Sequence, residues 1–365
     1  MPNEREPALV GESELDLPAE KQTVALSQGR LVVRRFLKHK IAVIGVFSIV
    51  AVILLAFTSV GTVIGGTGRL VADGSGLLRI DGWRIPGWWA AEWYTSYDLV
   101  NSGKPTLTLW PFSVGEHPFG QDTLGKDIFA RTMRGIQQSL TVMFLAGVVS
   151  TIIGTVVGAL AGYFRGWLDA VLMRLTDVVI VIPALVLAAV LGRTFGGNAF
   201  VLGLVLGAIA WTGLARLVRG EFLSLREREF VDAARVAGAR SPRIIFRHIL
   251  PNAVGVIIVN TTLLMSATIL VETSLSILNF GIQAPDISLG QIISEYQEAF
   301  RTRPWLFWWP GLFIVVIALS VNFIGDGLRD AFDPRQRSVP KAGGPFSKLY
   351  RRLRYRPETA NQVVS

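Results

Sequence analysis

Ile41-Ala-Val-Ile-Gly-Val-Phe47 opens a stretch that contains no Asp, Glu, Lys or Arg as far as Gly68. A helix needs about 20 apolar residues to cross a hydrocarbon core of about 30 Å. The stretch is long enough, so it predicts a transmembrane helix. Because 40 residues precede it and its apolar run exceeds that of a signal peptide, we interpret it as a retained span.

Five more uncharged stretches follow. The third stretch of the chain is short, so we extend it back to Ala170, across Arg174 and Asp177, which are close enough on a helix to pair. Pro183 is expected to kink this helix. The sequence therefore predicts an all-α integral membrane protein with six transmembrane helices. The uncharged stretches after the first are 135–164, 178–192, 194–215, 253–271 (continuing beyond Glu272 to 285) and 304–325.

The composition agrees with this class. Of the 365 residues 51% are hydrophobic and only 17% are charged, with a mean hydropathy of +0.46, whereas soluble proteins are about 25% charged. The chain has no cysteine, which excludes disulfides, cysteine nucleophiles and thiolate-bound metals. Its three histidines are scattered. No catalytic motif is present, so we expect no enzyme activity and no cofactor.

Basic residues are concentrated in three segments. Residues 21–40 hold six basic residues and no acid, 216–252 hold eight Arg and four acids, and the tail from 326 holds nine basic residues and four acids. Residues 69–134 carry seven of each sign, and 281–303 carry two Arg and three acids. Because Lys and Arg accumulate on the cytoplasmic side, we expect both termini in the cytoplasm. The lipid bilayer explains the net charge of +9, so we expect no nucleic-acid partner.

Two sets of glycines recur at every fourth position. They predict close helix packing, either inside the bundle or against another subunit. The first set is Gly154, Gly158 and Gly162, and the second is Gly203 and Gly207.

Gly120 to Asp127 narrowly misses a phosphate-binding loop. Asp127 replaces the hydroxyl residue that binds magnesium, so we reject a nucleotide site. We also give little weight to a metal site formed by His117, Asp122 and Asp127. The segment instead predicts a turn followed by an amphipathic helix at the membrane surface. The apolar side of that helix would comprise Ile128, Phe129, Thr132 and Met133.

The segment 221–252 is the most informative connection. Acids in the first turn and a terminal Gly238 predict a helix over 229–237. Ser241 as N-cap and Pro242 at the first helical position predict a second helix over 242–250, before the fifth span begins at Pro251. The small apolar residues of the first helix suit a docking face, although a simple linker would also fit. That face comprises Phe230, Ala233, Ala234 and Ala237.

Asp232-Ala-Ala-x-x-x-Gly238, followed by Leu250-Pro251, resembles the EAA loop of permease subunits in bacterial ABC importers. Asp232 replaces the usual Glu, and His248 stands where many members have Ile. The resemblance implies a type I importer permease fold in which this loop docks on the ATPase subunit. The residues it assigns to this coupling site are Glu229, Asp232, Ala233, Ala234, Gly238, Pro242, Arg243 and Pro251.

Further segments resemble the second permease subunit of dipeptide and oligopeptide importers, over residues 31–335. This implies a second permease subunit, two ATP-binding cassette subunits (or one fused), an external substrate-binding protein and a location in the bacterial inner membrane. The expected substrates are peptides, and the alternatives are nickel chelates and oligosaccharides. The matching segments are 34–40, 117–127, 161–169, 217–221, 272–276, 322–330 and 333–335.

The chain is divided accordingly. We expect a cytoplasmic tail over 1–40, a first span over 41–63, an external segment over 64–136, a permease core over 137–325 that includes the coupling loop 216–252, and a basic cytoplasmic tail over 326–365.

Two features stay open. The external segment 67–114 is longer than is usual for the family; its aromatic residues suit a girdle at the membrane interface or contact with the binding protein. Glu272 lies within a span and is a candidate for the translocation path or a structural partner. Two rivals come from other classes: a channel, which needs no coupling loop, and a membrane enzyme, which predicts ionisable groups clustered at one cavity. The aromatic residues are Trp83, Trp88, Trp89, Trp93, Tyr94 and Tyr97.

Overall fold

The structure is a computed structural model that describes residues 28–64, 70–72, 78–80, 83–109, 112–195 and 197–332. Most of the predicted N-terminal tail, and the C-terminal tail from residue 333 with the motif 333–335, lie outside the described residues.

Five helices are long and apolar enough to cross a membrane. A short helix α1 (Gln28–Lys38) precedes the first of them, and only His39 separates the two. The prediction of an all-α membrane bundle is confirmed for these spans. The five helices are α2 (Lys40–Ser59), α3 (Ile128–Phe164), α6 (Ala199–Arg226), α9 (Leu250–Ile277) and α11 (Trp305–Phe332).

The third predicted span is a broken helix. It consists of α4 (Gly166–Val181) and α5 (Ala184–Phe195), bent by 83°, so the expected kink at Pro183 is confirmed. Ile182 has φ −75° and ψ 124°, the extended backbone that a residue before proline prefers. Counted as one span, the bent pair brings the number to six.

Short strand pairs lie between α2 and α3. Each pair is antiparallel and two-stranded: β1 (Thr62–Ile64) with β4 (Trp83–Ile85), β2 (Leu70–Ala72) with β3 (Leu78–Ile80), and β5 (Thr108–Leu109) with β6 (Phe112–Ser113). The segment that the sequence left unassigned therefore has local strand structure.

The glycines at four-residue spacing bring α3 and α6 into close contact. A Cβ atom on Gly154 would lie 2.9 Å from the Trp211 carbonyl oxygen, and one on Gly162 would lie 2.7 Å from that of Arg219. On α6, a Cβ atom on Gly207 would lie 2.6 Å from the Cβ of Val149. These faces pack against each other inside the bundle. The glycine spacing is therefore explained by packing within the bundle and not by contact with another subunit.

Residues 86–109 and 112–127, called the cover below, close one end of the bundle together with α10 (Leu289–Tyr296). Trp93 and Phe119 of the cover are buried in the same apolar core as Phe129. The bundle end with the cover is the cover end; the opposite end, where residues 227–240 connect α6 to α9, is the loop end.

The predicted amphipathic helix at the membrane surface is corrected. Ile128 and Met133 belong to the first turns of α3 and are fully buried. They are buried because the cover, α10 and α11 pack around this end of α3.

Candidate functional site

The connection at the loop end contains a short helix, α7 (Glu229–Val236). Gly238 ends it with φ +78°, a left-handed backbone that glycine adopts without strain. The amide of Gly238 donates to the Arg235 carbonyl at 2.9 Å, and that of Ala239 to the Ala234 carbonyl at 3.0 Å. The helix and its glycine stop agree with the prediction to within one residue.

The second part of the connection differs from the predicted separate helix. α8 (Ser241–Arg243) continues through a π turn (Ile244–Ile249) into α9. Leu250 N–H donates to the Ile245 carbonyl, five residues back, and this wider turn accommodates Pro251, which has no N–H. The prediction of Ser241 as N-cap is wrong: Arg240 is the N-cap, without a side-chain bond.

One side of α7 packs against the bundle. Val231 and Ala234 are buried in an apolar cluster with Ile244, Ile249 and Phe222. Ala234 therefore does not belong to an open docking face, which corrects its place in the predicted site. The reason is helical geometry: Ala234 lies three residues after Val231 and shares its face.

The opposite side of α7 is exposed and largely apolar. We call this side the outer face of α7. Val236 is 91% exposed and Phe230 is 40% exposed. Its members are Phe230, Ala233, Val236, Ala237 and Gly238.

Charged residues surround the outer face. Glu229 and Asp232 are exposed in the first turn, and Arg235 donates to Asp232 at 2.8 Å. Exposed Pro242 and Arg243 follow the turn, and Pro251 is exposed at the start of α9. An apolar patch with a charged rim is the composition of a protein-binding surface.

Ion pairs join α4 to α6 near this connection. Arg219 holds Asp169 through two bonds of 2.6 and 2.7 Å, and Arg216 holds Asp177 at 2.5 Å. The predicted pairing of Asp177 with Arg174 is thus replaced by a pairing across helices. Asp169 and Arg219 each lie within a segment that carried the resemblance, but nothing in the sequence showed that they meet.

Glu272 is fully buried where α3, α9 and α10 meet. Its carboxylate accepts hydrogen bonds from Ser276 at 2.9 Å and Ser139 at 3.2 Å. Ser139 also accepts from the Leu289 amide at 3.3 Å, at the start of α10. In this conformation Glu272 joins three helices, which favours the structural alternative over a path-lining role.

In the segment 120–127, which resembles a phosphate-binding loop, the carboxylates accept hydrogen bonds from the protein itself. Asp127 caps α3 by accepting from the Ala130 amide at 2.6 Å, and it contacts His117. Asp122 accepts from the amides of Leu124 and Lys126, each at 2.8 Å. Among the described residues no group of three or more acidic, His or Cys side chains could hold a metal. The motif forms a turn, as predicted.

Buried charges connect the cover, α3 and α10. Tyr296 donates to Asp122 at 2.8 Å and accepts from Arg131 at 2.9 Å, and Arg131 also pairs with Glu295. Burial raises the pKa of the Tyr296 hydroxyl above its ordinary value.

A second buried arginine extends this network. Arg134 holds Asp286 through bonds of 2.7 and 2.9 Å and lies over the Trp93 ring at 4.8 Å. It also donates to Gln137 at 2.9 Å, and the Gln137 amide donates to the carbonyl of Ala56 in α2 at 2.8 Å. Directly or through Gln137, the two arginines of α3 therefore connect this helix to the cover, to α10 with the segment before it, and to α2.

Part of the aromatic segment packs into the protein. Trp93 is buried, and the Trp89 ring lies 4.7 Å from that of Phe129. Trp88 is 59% exposed and donates to Thr58 at 3.2 Å. The expectation of a girdle facing lipid is therefore corrected for Trp89 and Trp93, which belong to the core because they cover the end of α3. The side chain of Trp83 lies outside what the structure describes.

Residues 154–338 match the family described as "Binding-protein-dependent transport system inner membrane component", and residues 27–63 match the "N-terminal TM domain of oligopeptide transport permease C". The first match spans half of the chain. The chain belongs to this family of inner-membrane transport components, and it is a multi-pass membrane protein.

Its relatives include proteins named "Oligopeptide transport system permease protein OppC". The one from Mycobacterium bovis is 43% identical over 226 residues, 61% of this chain and 78% of the relative. The one from Haemophilus influenzae is 38% identical over 247 residues, 68% and 79% of the two chains. The one from Escherichia coli K12 is 43% identical over 221 residues, 60% and 73%.

Solved structures of the MetNI methionine ABC transporter in inward-facing conformations are also similar. One matches with a TM-score of 0.47 at 20% identity, covering 56% of this chain and 96% of that one; another has a TM-score of 0.45 at 21% identity, covering 55% and 95%.

Proposed function

We propose that this chain is the permease subunit of a peptide ABC importer and that the outer face of α7 docks on its ATPase subunit. The observation that carries the proposal is the exposure of Ala233, Val236 and Gly238 on a helix whose other side is anchored in the bundle. A helix held this way can transmit force between a partner and the spans.

The remaining parts follow from family membership. A second permease subunit would complete the translocation path, two ATP-binding cassette subunits or one fused subunit would hydrolyse ATP, and an external binding protein would deliver substrate at the cover end. The chain itself would then not be an enzyme. Peptides are the proposed substrates because the relatives are named for oligopeptide transport.

The orientation belongs to the same proposal. The loop end and both termini would lie in the cytoplasm, and the cover would lie outside. The eight Arg residues within 216–252 and the six basic residues within 21–40 support this placement.

The test is Gly238→Trp, measured by co-purification of the ATPase subunits and by peptide uptake. No atom lies within 4 Å of a Cβ placed on Gly238, so the isolated chain should tolerate the indole apart from backbone strain of roughly 1 kcal/mol or more. The docked helix should not, because overpacking a tight contact costs about 1–3 kcal/mol. We expect normal insertion with lost ATPase association.

Gly166→Trp is the matched control. Gly166 also has a positive φ of +64° with no atom within 4 Å of an added Cβ, but it is the first residue of α4 and does not lie on the outer face of α7. It should keep the ATPase subunits. Full assembly and full uptake in Gly238→Trp would make the connection a linker and remove the proposal.

A further inference from the structure

Helix α1 is attached to the end of α11 by one side. The Phe36 ring lies 3.1 Å from a Cβ placed on Gly327, Arg35 donates to the Ala331 carbonyl at 3.5 Å, and His39 lies 3.3 Å from Asp330. Because of these contacts, the helix has a defined side that faces the protein.

The other side of α1 carries two parallel stripes. Val33 and Leu37 form an apolar stripe and are 58% and 63% exposed. Arg30, Arg34 and Lys38 follow at four-residue spacing, so they form a basic stripe directly beside it. All three are exposed, and no carboxylate of the described residues pairs with them.

The position of α1 limits what can cover these stripes. Only His39 separates it from α2, whose apolar residues begin at Ile41. The helix therefore lies at the boundary between the hydrocarbon core and the headgroups. An apolar stripe beside a basic stripe at that depth matches acyl chains beside anionic headgroups.

We propose that the basic stripe of α1 binds the headgroups of anionic phospholipids while Val33 and Leu37 enter the acyl-chain boundary. Through the contacts of Phe36 and His39, the bound lipid would also fix the end of α11. None of these residues belongs to the outer face of α7.

The absence of cysteine allows a direct test. The full chain with Leu37→Cys, labelled with an environment-sensitive fluorophore in a neutral detergent, is titrated with phosphatidylglycerol, phosphatidylcholine or inorganic phosphate. We expect a saturable blue shift with phosphatidylglycerol alone. An equal shift with phosphatidylcholine, or the same shift with inorganic phosphate, would overturn the proposal.

The charge requirement is tested by Arg30→Gln, Arg34→Gln and Lys38→Gln combined. Each basic residue near an anionic surface contributes about fivefold in affinity, so loss of all three should raise the midpoint roughly a hundredfold. The control removes three exposed basic residues from other parts of the chain, Lys104, Arg193 and Arg301, and should leave the midpoint unchanged. An unchanged midpoint in the first variant would refute the site.

A further experiment tests whether residues 1–20 could bind the basic stripe instead of lipid, since they contain six acidic residues and one Arg. If this segment, rather than lipid, covers the basic stripe, deletion of residues 2–20 would shift the label without added lipid. That result would overturn the proposal. A deletion variant that still requires phosphatidylglycerol, with the same midpoint, would support it.

Discussion

Glu272 shows how a single buried side chain joins separate parts of this bundle. Its carboxylate connects the Ser139 hydroxyl of α3 to α9, and Ser139 in turn accepts from the first amide of α10. A buried acceptor with partners on several elements stabilises one arrangement of them, since each hydroxyl that loses its partner inside the bundle costs about 1–3 kcal/mol.

Glu272→Ala should therefore lower the thermal stability of the detergent-solubilised chain, with a loss of about 1–3 kcal/mol. Glu272→Gln keeps an oxygen that can accept from Ser276 or Ser139 and should lose less. The measurement is thermal unfolding of both variants beside the parent chain. Equal stability of all three would show that the carboxylate has no structural role. Glu272 would then again be a candidate for the translocation path.

Tyr296 gives the cover end a dependence on alkaline pH. Its raised pKa means that the folded state retains the hydroxyl proton at a pH where the unfolded state, with an ordinary pKa of about 10, releases it. The stabilising contribution is complete below about pH 10 and is lost as the pH rises further, by at most about 1.4 kcal/mol per pH unit.

Tyr296→Phe should accordingly be less stable than the parent near neutral pH, because Asp122 and Arg131 each lose a partner, but its stability should decline less between about pH 10 and about pH 11. Denaturation midpoints at about pH 8, 10 and 11 check this. Parallel decline of the two proteins would assign the alkaline loss to other groups.

At the residue scale the sequence predicted local backbone better than side-chain partners. Gly238 was identified as a helix stop from its place after an apolar helix, and its φ of +78° agrees. The distant partners of Glu272 and Asp177 were not predictable, because Ser139 and Arg216 lie 133 and 39 positions away and no local pattern indicates which helices meet. The inner position of Ala234 required the same missing information.

At the element scale, the contact between α3 and α6 depends on the absence of side chains. Gly154, Gly158 and Gly162 allow the carbonyl oxygens of α6 to approach the backbone of α3. Such close approach allows extensive dispersion contact between helices in lipid, where the hydrophobic effect does not drive association. This pair of helices is the central contact of the bundle.

Gly158→Leu should disrupt this contact, because any Cβ there overlaps the Ala215 carbonyl oxygen and lies 2.8 Å from the Val218 side chain. We expect a loss of about 1–3 kcal/mol or more, measured by thermal unfolding of the isolated chain. Gly220→Leu is the control on α6, since no atom lies within 4 Å of its added Cβ. Equal effects of the two substitutions would contradict tight packing at Gly158.

The existence of the helices was predictable from uncharged stretches, but their ends were not. α3 begins at Ile128 rather than near 135, because Arg131 and Arg134 are paired inside the protein and need not mark a helix end. α6 likewise continues beyond Ala215 to Arg226, and its first two charges after Ala215, Arg216 and Arg219, are paired with α4. A rule that stops each span at its first charge cannot detect such pairing.

At the scale of the whole molecule, the two ends of the bundle differ in how their charges are held. Arg131 and Arg134 at the cover end are 4–6% exposed in their ion pairs. At the loop end, the pairs of Arg165 and Arg216 are 43–61% exposed, and such pairs contribute only about 0–1 kcal/mol. Of the pairs that join α4 to α6, that of Arg219 with Asp169 is less exposed, at 34% and 17%, so this pair is the main ionic contact between the two helices.

The proposed orientation can be checked on the same cysteine-free background. Leu124 of the cover is 63% exposed, and Val236 of α7 is 91% exposed. In cells that express this chain without the ATPase subunits, so that the outer face of α7 is free, a membrane-impermeant maleimide should label Leu124→Cys on intact spheroplasts and Val236→Cys only in inside-out vesicles. The two sites serve as each other's controls. The reverse pattern would refute both the orientation and the docking role of α7.

The paired arginines of the cover end also set an order of assembly. Arg134 and Asp286 are 152 positions apart, and Asp122 and Tyr296 are 174 apart. At about 5–20 residues per second, Arg134 waits roughly 8–30 s for its partner to be synthesised. During that interval the Arg134 guanidinium has no carboxylate partner, whereas Arg131 can already pair with Asp122. A chain truncated after α9 lacks Asp286, so its Arg134 has no carboxylate partner. We expect quality-control proteases to degrade it faster than the finished chain in a pulse–chase experiment.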